Sequence, residues 1–423
     1  MGRYEILEPL GSGGMGTVCR ARGPRRAWSA VLLLSATMLA CSAPLELADW
    51  TIPVPEGARI IEYAHVPAED RARRIELVED LVISEGEEPF YRLTDVDADA
   101  SGNIYAFDAG NRNVVTFDAA GNYLRTFGRP GQGPGEIGRG GSIAIVGTDL
   151  VHVSQNRMNV WAPGGEVLES RNLTFTRSLA PIAGTDAGVL LGSHTQRDDE
   201  GARYRHVVRL STDGELEVEY VELLDPGPVS FTRQTDTTMV STSVGVPGPV
   251  PTFAASRLAE IYAVAGDEYQ VLAFAPDGTV RWALRTTMRR PVLTDARIDE
   301  VLRRLAEFRT PAGTLDPRPQ RSEVDWPAAL PALAGGPSTH PFTAPIRVDG
   351  HGHLYVFPSI PEDWDRQERP VDVYSPDGER LFSGMMAITR WNAARDQFVY
   401  AVGTDPVTEE YQVIRYQLVE PFD

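Results

Sequence analysis

Residues 97–128 read DADASGNIYAFDAGNRNVVTFDAAGNYLRTFG. Short runs in this stretch alternate apolar with polar residues and are rich in aromatic and β-branched side chains, a pattern that favours strands. Gly102 and Gly121 separate the runs, at points where tight turns require a positive φ angle. The stretch therefore predicts a unit of strand, turn, strand, turn and strand.

The same unit recurs along the chain. The later copies are Asp149–Ser154 with Asn159–Ser170, Gly188–Ser193 with His206–Val218, Ala259–Val264 with Gln270–Leu284, His351–Phe357 with Val371–Phe382, and Asp396–Val402 with Tyr411–Leu418. One small meander cannot bury a face alone, whereas copies stacked radially can. We therefore predict an all-β fold, a six-bladed β-propeller over residues 74–420.

Two segments depart from the repeat. The last copy lacks an outermost strand, which Arg74–Ser84 either supplies, closing the ring, or leaves missing by forming an independent edge strand. Residues 290–345 form an insertion in one blade. Its first part, Thr294–Arg309, has one apolar face at helical spacing, and residues 311–345 are too rich in proline for regular structure. The insertion is predicted as a lid over the channel, a surface patch or a docked decoration.

The first repeat carries a family resemblance. Asn103–Asp118 resembles an NHL repeat, and Phe127–Ile137 resembles the Gly-Gln-Gly-Pro-Gly-Glu link typical of bacterial six-bladed propeller lipoproteins. This resemblance implies a propeller located in the cell envelope.

Residues 23–40 are predicted as a signal peptide. Arg25 and Arg26 precede the uncharged run Ala27–Ala40, which is too short to span a membrane. Met38-Leu-Ala-Cys41 resembles a bacterial lipobox, which implies a lipid anchor on Cys41; the alternative is a plain signal peptide with an incidental cysteine. Residues 41–73 are interpreted as a linker. We expect an exported protein, anchored on the periplasmic or outer-membrane side.

Residues 1–22 resemble the start of bacterial Ser/Thr protein kinases. Gly11, Gly13, Gly16 and Val18 fit the glycine-rich loop that covers ATP phosphates. The chain has no lysine, no His-Arg-Asp and no Asp-Phe-Gly, all of which a kinase requires. We interpret the segment as a fused fragment or a misassigned start with a vestigial loop, and an ATP-binding remnant is a remote alternative.

Composition narrows the function classes. The 423 residues carry a formal net charge of −19, which argues against nucleic acid as a partner, because phosphate binding requires a basic face. Two cysteines are too few for a disulfide scaffold. No cofactor is predicted.

The innermost strand of each blade lines the channel of a propeller. The predicted innermost strands are Arg92–Asp95, Ser142–Val146, Leu179–Ala183, Thr252–Ser256, Pro345–Val348 and Ala387–Trp391. The candidate ligand-binding residues on them are Arg92, Asp95, Arg347 and Arg390. They indicate an anion-binding mouth, unless the arginines pair with loop carboxylates. A weak metal candidate is His351 with His353 after Asp349, although the same repeat position in Asp99–Asn103 favours a turn.

These features favour a non-enzymatic binding or scaffolding module that recognises a peptide, glycan or envelope protein at the channel mouth. The alternative is an enzyme of the lyase or lactonase kind found on related propellers, an analogy at the level of fold alone.

Overall fold

The described part of the chain is built from β-strands. A computed structural model describes residues 5–13, 16–22, 54–67, 70–86, 88–176, 178–211, 213–225, 229–234, 239–244, 251–264, 269–288, 346–358, 368–387 and 391–419. Among these residues, no helix has the length and apolar character needed to cross a membrane. The predicted signal peptide, Cys41, the predicted helix Thr294–Arg309 and the insertion 290–345 lie outside the described residues.

The strands run in the following order. The first sixteen are β1 (Glu5–Gly13), β2 (Gly16–Arg22), β3 (Arg59–Tyr63), β4 (Arg74–Ile83), β5 (Leu93–Ala98), β6 (Ile104–Asp108), β7 (Asn113–Phe117), β8 (Tyr123–Phe127), β9 (Arg129–Pro130), β10 (Glu136–Ile137), β11 (Ser142–Val146), β12 (Asp149–Ser154), β13 (Arg157–Trp161), β14 (Val167–Asn172), β15 (Leu179–Gly184) and β16 (Leu190–Arg197). The others are β17 (Arg203–Leu210), β18 (Leu216–Leu224), β19 (Val229–Gln234), β20 (Met239–Val244), β21 (Thr252–Ala255), β22 (Ile261–Val264), β23 (Gln270–Phe274), β24 (Val280–Thr286), β25 (Ile346–Val348), β26 (Leu354–Val356), β27 (Glu368–Tyr374), β28 (Arg380–Ala387), β29 (Trp391–Arg395), β30 (Phe398–Thr404) and β31 (Tyr411–Val419).

The chain divides into two compact units. The first unit, residues 1–48, contains an antiparallel hairpin of β1 and β2. Gly11 pairs with Val18 and Gly13 with Gly16, so the three glycines of the kinase-like motif lie at the turn end of this hairpin. The second unit covers residues 49–423.

The second unit repeats one antiparallel meander. In the first copy, β5 to β8 pair in sequence order, and Gly102 and Gly121 adopt φ angles of +80° and +84°, as the turns require. Asp99 fixes the first turn because its Oδ1 accepts hydrogen bonds from the backbone N–H groups of Ser101 (2.8 Å) and Asn103 (3.0 Å). All five residues of β6 are buried, since both faces of this strand are covered.

The later meanders follow the predicted repeats. They consist of β11 to β14, β15 to β18, β21 to β24, β25 to β28, and β29 to β31. Each apolar cluster of the described core joins two successive meanders, as where Phe107 of the first packs with Ile145 of the second. One cluster joins the last meander to the first, placing Tyr400 against Ile104. The meanders therefore form a closed ring, which is a β-propeller.

The ring is closed by β4. This strand pairs antiparallel with β31 through seven residue pairs, from Glu76 with Val419 to Ile83 with Val413, and so completes the last meander. It also continues, in parallel, onto Met385 and Met386 of β28. The predicted closing role of Arg74–Ser84 is confirmed.

The interpretation of residues 41–73 as a linker does not hold for residues 54–67 and 70–73, the part of this stretch that the structure describes. β3 lies within it and pairs in parallel with β24 as a fifth strand of the fourth meander. Arg71 is buried and forms a bidentate ion pair with Asp372 of β27, through Nη1 to Oδ1 at 2.8 Å and Nη2 to Oδ2 at 3.2 Å. This segment therefore belongs to the propeller. No turn signal in the sequence indicates β3, because a parallel strand is not joined to its neighbour by a hairpin.

The link between the first two meanders encloses a carboxylate. The Glu136 side chain accepts hydrogen bonds from the backbone N–H groups of Gln132 (2.9 Å) and Gly133 (2.7 Å) and pairs with Arg129. A Cβ atom on Gly131 would lie 1.9 Å from Glu136 Oε2, so a larger residue there would displace the Glu136 side chain from these hydrogen bonds. These contacts favour glycine at the first position of the link Gly-Gln-Gly-Pro-Gly-Glu.

We expect the closing strand to carry a measurable share of the stability. Ile75→Ala in β4 removes a side chain that is 3% exposed and packs in the cluster of Phe382 and Trp391, so it should lower the free energy of unfolding by about 2–5 kcal/mol. Val78→Ala on the same strand is the matched control, because Val78 is 48% exposed and its truncation should cost within about 0.5 kcal/mol. Urea unfolding of the full chain measures both values. Equal losses in the two variants would contradict a closing role for the buried face of β4.

Candidate functional site

A cavity of about 310 Å³ lies at the centre of the ring. Its wall is formed by the first strand of every meander: β5, β11, β15, β21, β25 and β29. Gly184 of β15 allows two of these strands to approach closely, because a Cβ atom there would lie 1.9 Å from the carbonyl oxygen of Ile145 in β11. The cavity is the central channel of the propeller.

Two arginines cross one end of this channel. Arg257, in the turn after β21, pairs with Asp97 of β5 and donates from Nη2 to the carbonyl oxygen of Ala98 (2.9 Å). Arg395 of β29 donates from Nε to the same carbonyl oxygen (3.2 Å) and pairs through Nη2 with Asp186 (2.6 Å). These contacts tie together the first, third, fourth and sixth meanders at the strand ends.

The carboxylates of β5 accept hydrogen bonds from the inner edge of β11, the edge that has no neighbouring strand in its sheet. Asp95 Oδ2 accepts a hydrogen bond from the N–H of Ile143 (2.9 Å), and Asp97 Oδ2 accepts one from the N–H of Ile145 (2.8 Å). The inner edge of an innermost strand has no ladder partner, so its N–H groups need such acceptors. Residues two apart on β5 face the same way, which matches the spacing of these N–H groups on β11.

The carboxyl group of Asp95 has a raised pKa. Burial in the channel wall raises its pKa from 3.8 to about 6, and the neighbouring charge of Asp97 adds to this effect. Hydrogen bonds from Ile143 N–H and from Asn392 Nδ2 (3.0 Å) oppose the rise. A carboxyl group of this acidity exchanges a proton near neutral pH, as general acids and bases do.

The channel wall also holds donors that lack acceptors. Within the described residues, Arg257 Nη1 and Trp391 Nε1 are buried and have no hydrogen-bond partner. Trp391 packs edge-to-face against Tyr355 and Phe357, so its ring is part of the core, and the residue also borders the channel. Buried donors of this kind are costly unless an acceptor satisfies them.

The structure brings together two of the four predicted ligand-binding residues. Asp95 and Arg347 line the channel, and Arg347 Nη1 donates to the carbonyl oxygen of Ile346 (2.8 Å). Arg92 does not line the channel, so its placement on the innermost strand is wrong. It is exposed and lies in a loop held by Asp108, whose Oδ1 accepts its N–H (3.0 Å). Arg390 lies outside the described residues.

Sequence reasoning missed Arg257, Asp97 and Asn392. Arg257 follows the predicted strand Thr252–Ser256 directly, so extending each innermost strand by one turn would have found it. Its contact with Asp97 joins residues 160 positions apart, and no local pattern indicates such a contact.

The Asp349–His353 segment has the geometry of a turn. Asp349 Oδ1 accepts hydrogen bonds from the N–H groups of His351 (2.9 Å) and His353 (2.8 Å), as Asp99 does in the first meander. Asp349 Oδ2 contacts His353 Nδ1 at 3.0 Å, in the place where Asp99 Oδ2 accepts from Asn103. The side chains lie close enough to one another to share an ion, but the carboxylate already serves the turn.

Comparisons with known proteins give distant structural similarities. No family model matches the chain, and no curated protein does. A candidate exported protein from Bacteroides fragilis is 9% identical with a TM-score of 0.42, covering 85% of this chain and 100% of its own. A DUF4221 family member from Bacteroides vulgatus is 10% identical with a TM-score of 0.45, covering 82% and 98%. Virginiamycin B lyase from Staphylococcus aureus is 9% identical with a TM-score of 0.36, covering 82% and 100%. The fold assignment rests on the strand pairing described above.

We expect the Asp95 carboxyl to titrate with a midpoint near pH 6. Because its pKa is raised in the folded state, its contribution to stability is complete below about pH 4 and is lost as the pH rises through about 6. Carbon-13 NMR of aspartate carboxyls measures the midpoint, and the Asp95→Asn variant assigns the signal. Asp118 is the internal control, since its hydrogen bonds with Asn122 lower its pKa below 3.8. A midpoint for Asp95 at or below that of Asp118 would contradict the burial argument.

Proposed function

We propose that this protein is an exported, membrane-anchored β-propeller of six blades that binds a carboxylate group of a peptide or glycan in its central channel. The observation that carries the proposal is that two arginines, Arg257 and Arg347, line the channel, where the buried Nη1 of Arg257 and Nε1 of Trp391 also lack acceptors among the described residues. A carboxylate has two acceptor oxygens and a charge, and arginine binds it with charge-assisted hydrogen bonds.

The size of the channel limits what can enter it. Ligand pockets range from about 300 to 1,000 Å³, and this cavity lies at the lower end with about 310 Å³. That volume suits one amino-acid residue or one sugar unit. The proposed ligand is therefore a chain terminus, an acidic side chain or a uronic acid, which would belong to a larger envelope molecule.

Charge in the channel tunes this recognition. Asp95 and Asp97 oppose a bound carboxylate, while Arg257 and Arg347 attract it. Asp97 is already neutralised by Arg257. Asp95 loses its charge below about pH 6, so a carboxylate ligand should bind more tightly as the pH falls through that value.

Binding can be tested with paired probes. Short N-acetylated peptides with a free C-terminal carboxylate should bind to the full chain, whereas the same peptides with an amidated terminus should bind at least tenfold more weakly. Glucuronate oligomers and neutral glucose oligomers form the equivalent pair of glycans. Isothermal titration calorimetry measures the dissociation constants, and only one of the two classes needs to show the carboxylate preference.

Arg347→Gln should weaken binding of the preferred probe by about 10- to 100-fold, the loss expected for one charged hydrogen bond. Arg129→Gln is the matched control, because Arg129 is exposed, pairs with Glu136 and lies outside the channel. Asp95→Asn should remove the dependence on pH near 6. Equal affinity for charged and uncharged probes, or no effect of Arg347→Gln, would overturn the proposed ligand class.

The enzyme alternative is favoured by one observation, the pKa of Asp95 near 6 within a ligand-sized cavity. A lyase or lactonase needs a group that moves a proton near neutral pH, and Asp95 is placed to do so. Mass spectrometry of the same probes after incubation separates the two functions. Turnover that rises or falls near pH 6 and is lost in Asp95→Asn would support an enzyme, while unchanged probes support a binding module.

The location of the protein is a separate part of the proposal. We expect the native protein in the membrane fraction to begin at Cys41 with a diacylglyceryl group, and Cys41→Ser to release it from that fraction. Mass spectrometry of the N-terminal peptide and fractionation measure the two outcomes. An unmodified peptide beginning at Met1 in the soluble fraction would contradict export. It would favour the alternative that the glycine-rich hairpin is an ATP-binding remnant. Nucleic acid is not a proposed partner, given the net charge of −19.

A further inference from the structure

A second group of ionisable side chains lies on the third meander, away from the channel strands. His206 of β17 contacts two carboxylates of the neighbouring strand β18. Its Nδ1 lies 2.9 Å from Glu219 Oε1 and 3.8 Å from Glu222 Oε2. The His206 side chain is 8% exposed, whereas the two glutamates are 44% and 50% exposed.

A β-bulge creates this grouping. Glu219 and Glu222 are three residues apart, so in a regular strand they would face opposite sides of the sheet. The pairing of β17 with β18 slips by one residue between Val207 and Val208, which leaves Tyr220 without a partner. The slip turns Glu219 to the side occupied by Glu222 and His206. Bulges often re-aim a side chain in this way at functional positions.

We propose that His206, Glu219 and Glu222 bind a divalent metal ion of the zinc class. Zinc accepts one imidazole nitrogen with carboxylate oxygens, whereas calcium takes oxygen ligands alone. Ligand atoms about 2.0–2.1 Å from a tetrahedral zinc ion are separated by about 3.3 Å. The observed separations of 2.9 and 3.8 Å lie on either side of this value, so small rotations of the exposed glutamates complete the site. The fourth position belongs to water or to a ligand.

His194 of β16 positions the histidine ligand. It pairs directly with His206 across the strands, and the two imidazole rings stack with centroids 4.8 Å apart and an angle of 6°. The lone pairs of the ring nitrogens lie in the planes of the rings, and these planes are nearly parallel and separate, so His194 does not share the ion in this arrangement. Its Nδ1 is buried without a partner in the described part of the chain.

This site is distinct from the Asp349–His353 turn. There the carboxylate is held by two backbone N–H groups and by His353. At the third meander, the glutamates are half exposed and can move onto an ion. The proposal does not depend on the channel ligand, because the site shares no residue with the channel wall.

Zinc binding by the purified full chain tests the proposal. Equilibrium dialysis with elemental analysis should find one zinc ion per chain, and this ion should be lost in His206→Gln and in Glu222→Gln. Glu217→Gln is the matched control on the same strand, because Glu217 pairs with Arg209 instead. It should retain the ion. Cobalt substitution should give the visible absorption of a four-coordinate ion, which a merely structural role for His206 would not produce.

A second variant keeps the experiment decisive. His353→Gln should leave zinc binding unchanged, and circular dichroism should show that every variant remains folded. Loss of zinc in His353→Gln with retention in His206→Gln would assign the ion to the turn and overturn the proposal. Absence of zinc binding by the folded wild-type chain at micromolar concentrations would overturn it as well.

Discussion

The pairing of β4 with β31 is the constraint on which the ring depends. A meander that ends without an outer strand leaves a row of unpaired N–H and C=O groups at its edge. Here the outer strand comes from the other end of the second unit, so seven residue pairs join the beginning of this unit to its last meander. The first meander can pack against the last, through Ile104 and Tyr400, only when that meander is held in place. Closure of the ring therefore also completes the core between the last and the first meander.

A buried polar network holds the segment that leads into β4. The Arg71–Asp372 ion pair is almost fully buried, and Asp372 also accepts hydrogen bonds from Tyr269 (2.9 Å) and Ser383 (2.7 Å). An ion pair taken out of water is stable only when its remaining donors and acceptors are satisfied. Arg71 meets this condition by donating to the carbonyl oxygens of Val66 (2.9 Å) and Val371 (2.8 Å). The network thus fixes the segment around Arg71, just before β4, and links this segment to the fourth and fifth meanders.

Local patterns predicted the strands well because each meander repeats the same turn chemistry. The predicted innermost strand Ser142–Val146 has the same bounds as β11, and Leu179–Ala183 is extended by one residue in β15. The last innermost strand was misplaced, since Ala387 still ends β28 and β29 begins at Trp391. The sequence WNAAR has weak alternation and no aromatic residue after its first position, so its bounds were poorly defined.

The candidate site was harder to predict because it is assembled by contacts across the ring. Asp95 and Arg347 were found from their places in the repeat, whereas Arg257 acts from a turn and reaches another meander. Arg92 is predicted in the channel as the first residue of the innermost strand Arg92–Asp95, but β5 begins at Leu93, and Asp108 accepts the backbone N–H of Arg92 in the loop before it. The histidine pair of the third meander was missed for a related reason: His194 and His206 are twelve residues apart, and only strand register makes them neighbours.

The channel combines structural and ligand-binding demands in the same residues. Asp97 and Arg257 neutralise each other and join two meanders, so they resemble an ordinary structural ion pair. However, the pair leaves Arg257 Nη1 without an acceptor, and it stands beside Asp95, whose carboxyl is buried at a cost that raises its pKa to about 6. In a wall selected for stability alone, Arg257 Nη1 would have an acceptor and the Asp95 carboxyl would be exposed to water. Arg257 and Asp95 line the same cavity, so a ligand with acceptor atoms and a negative charge would meet both the arginine and the titrating carboxyl there. This shared location is the physical reason to place the function in the channel.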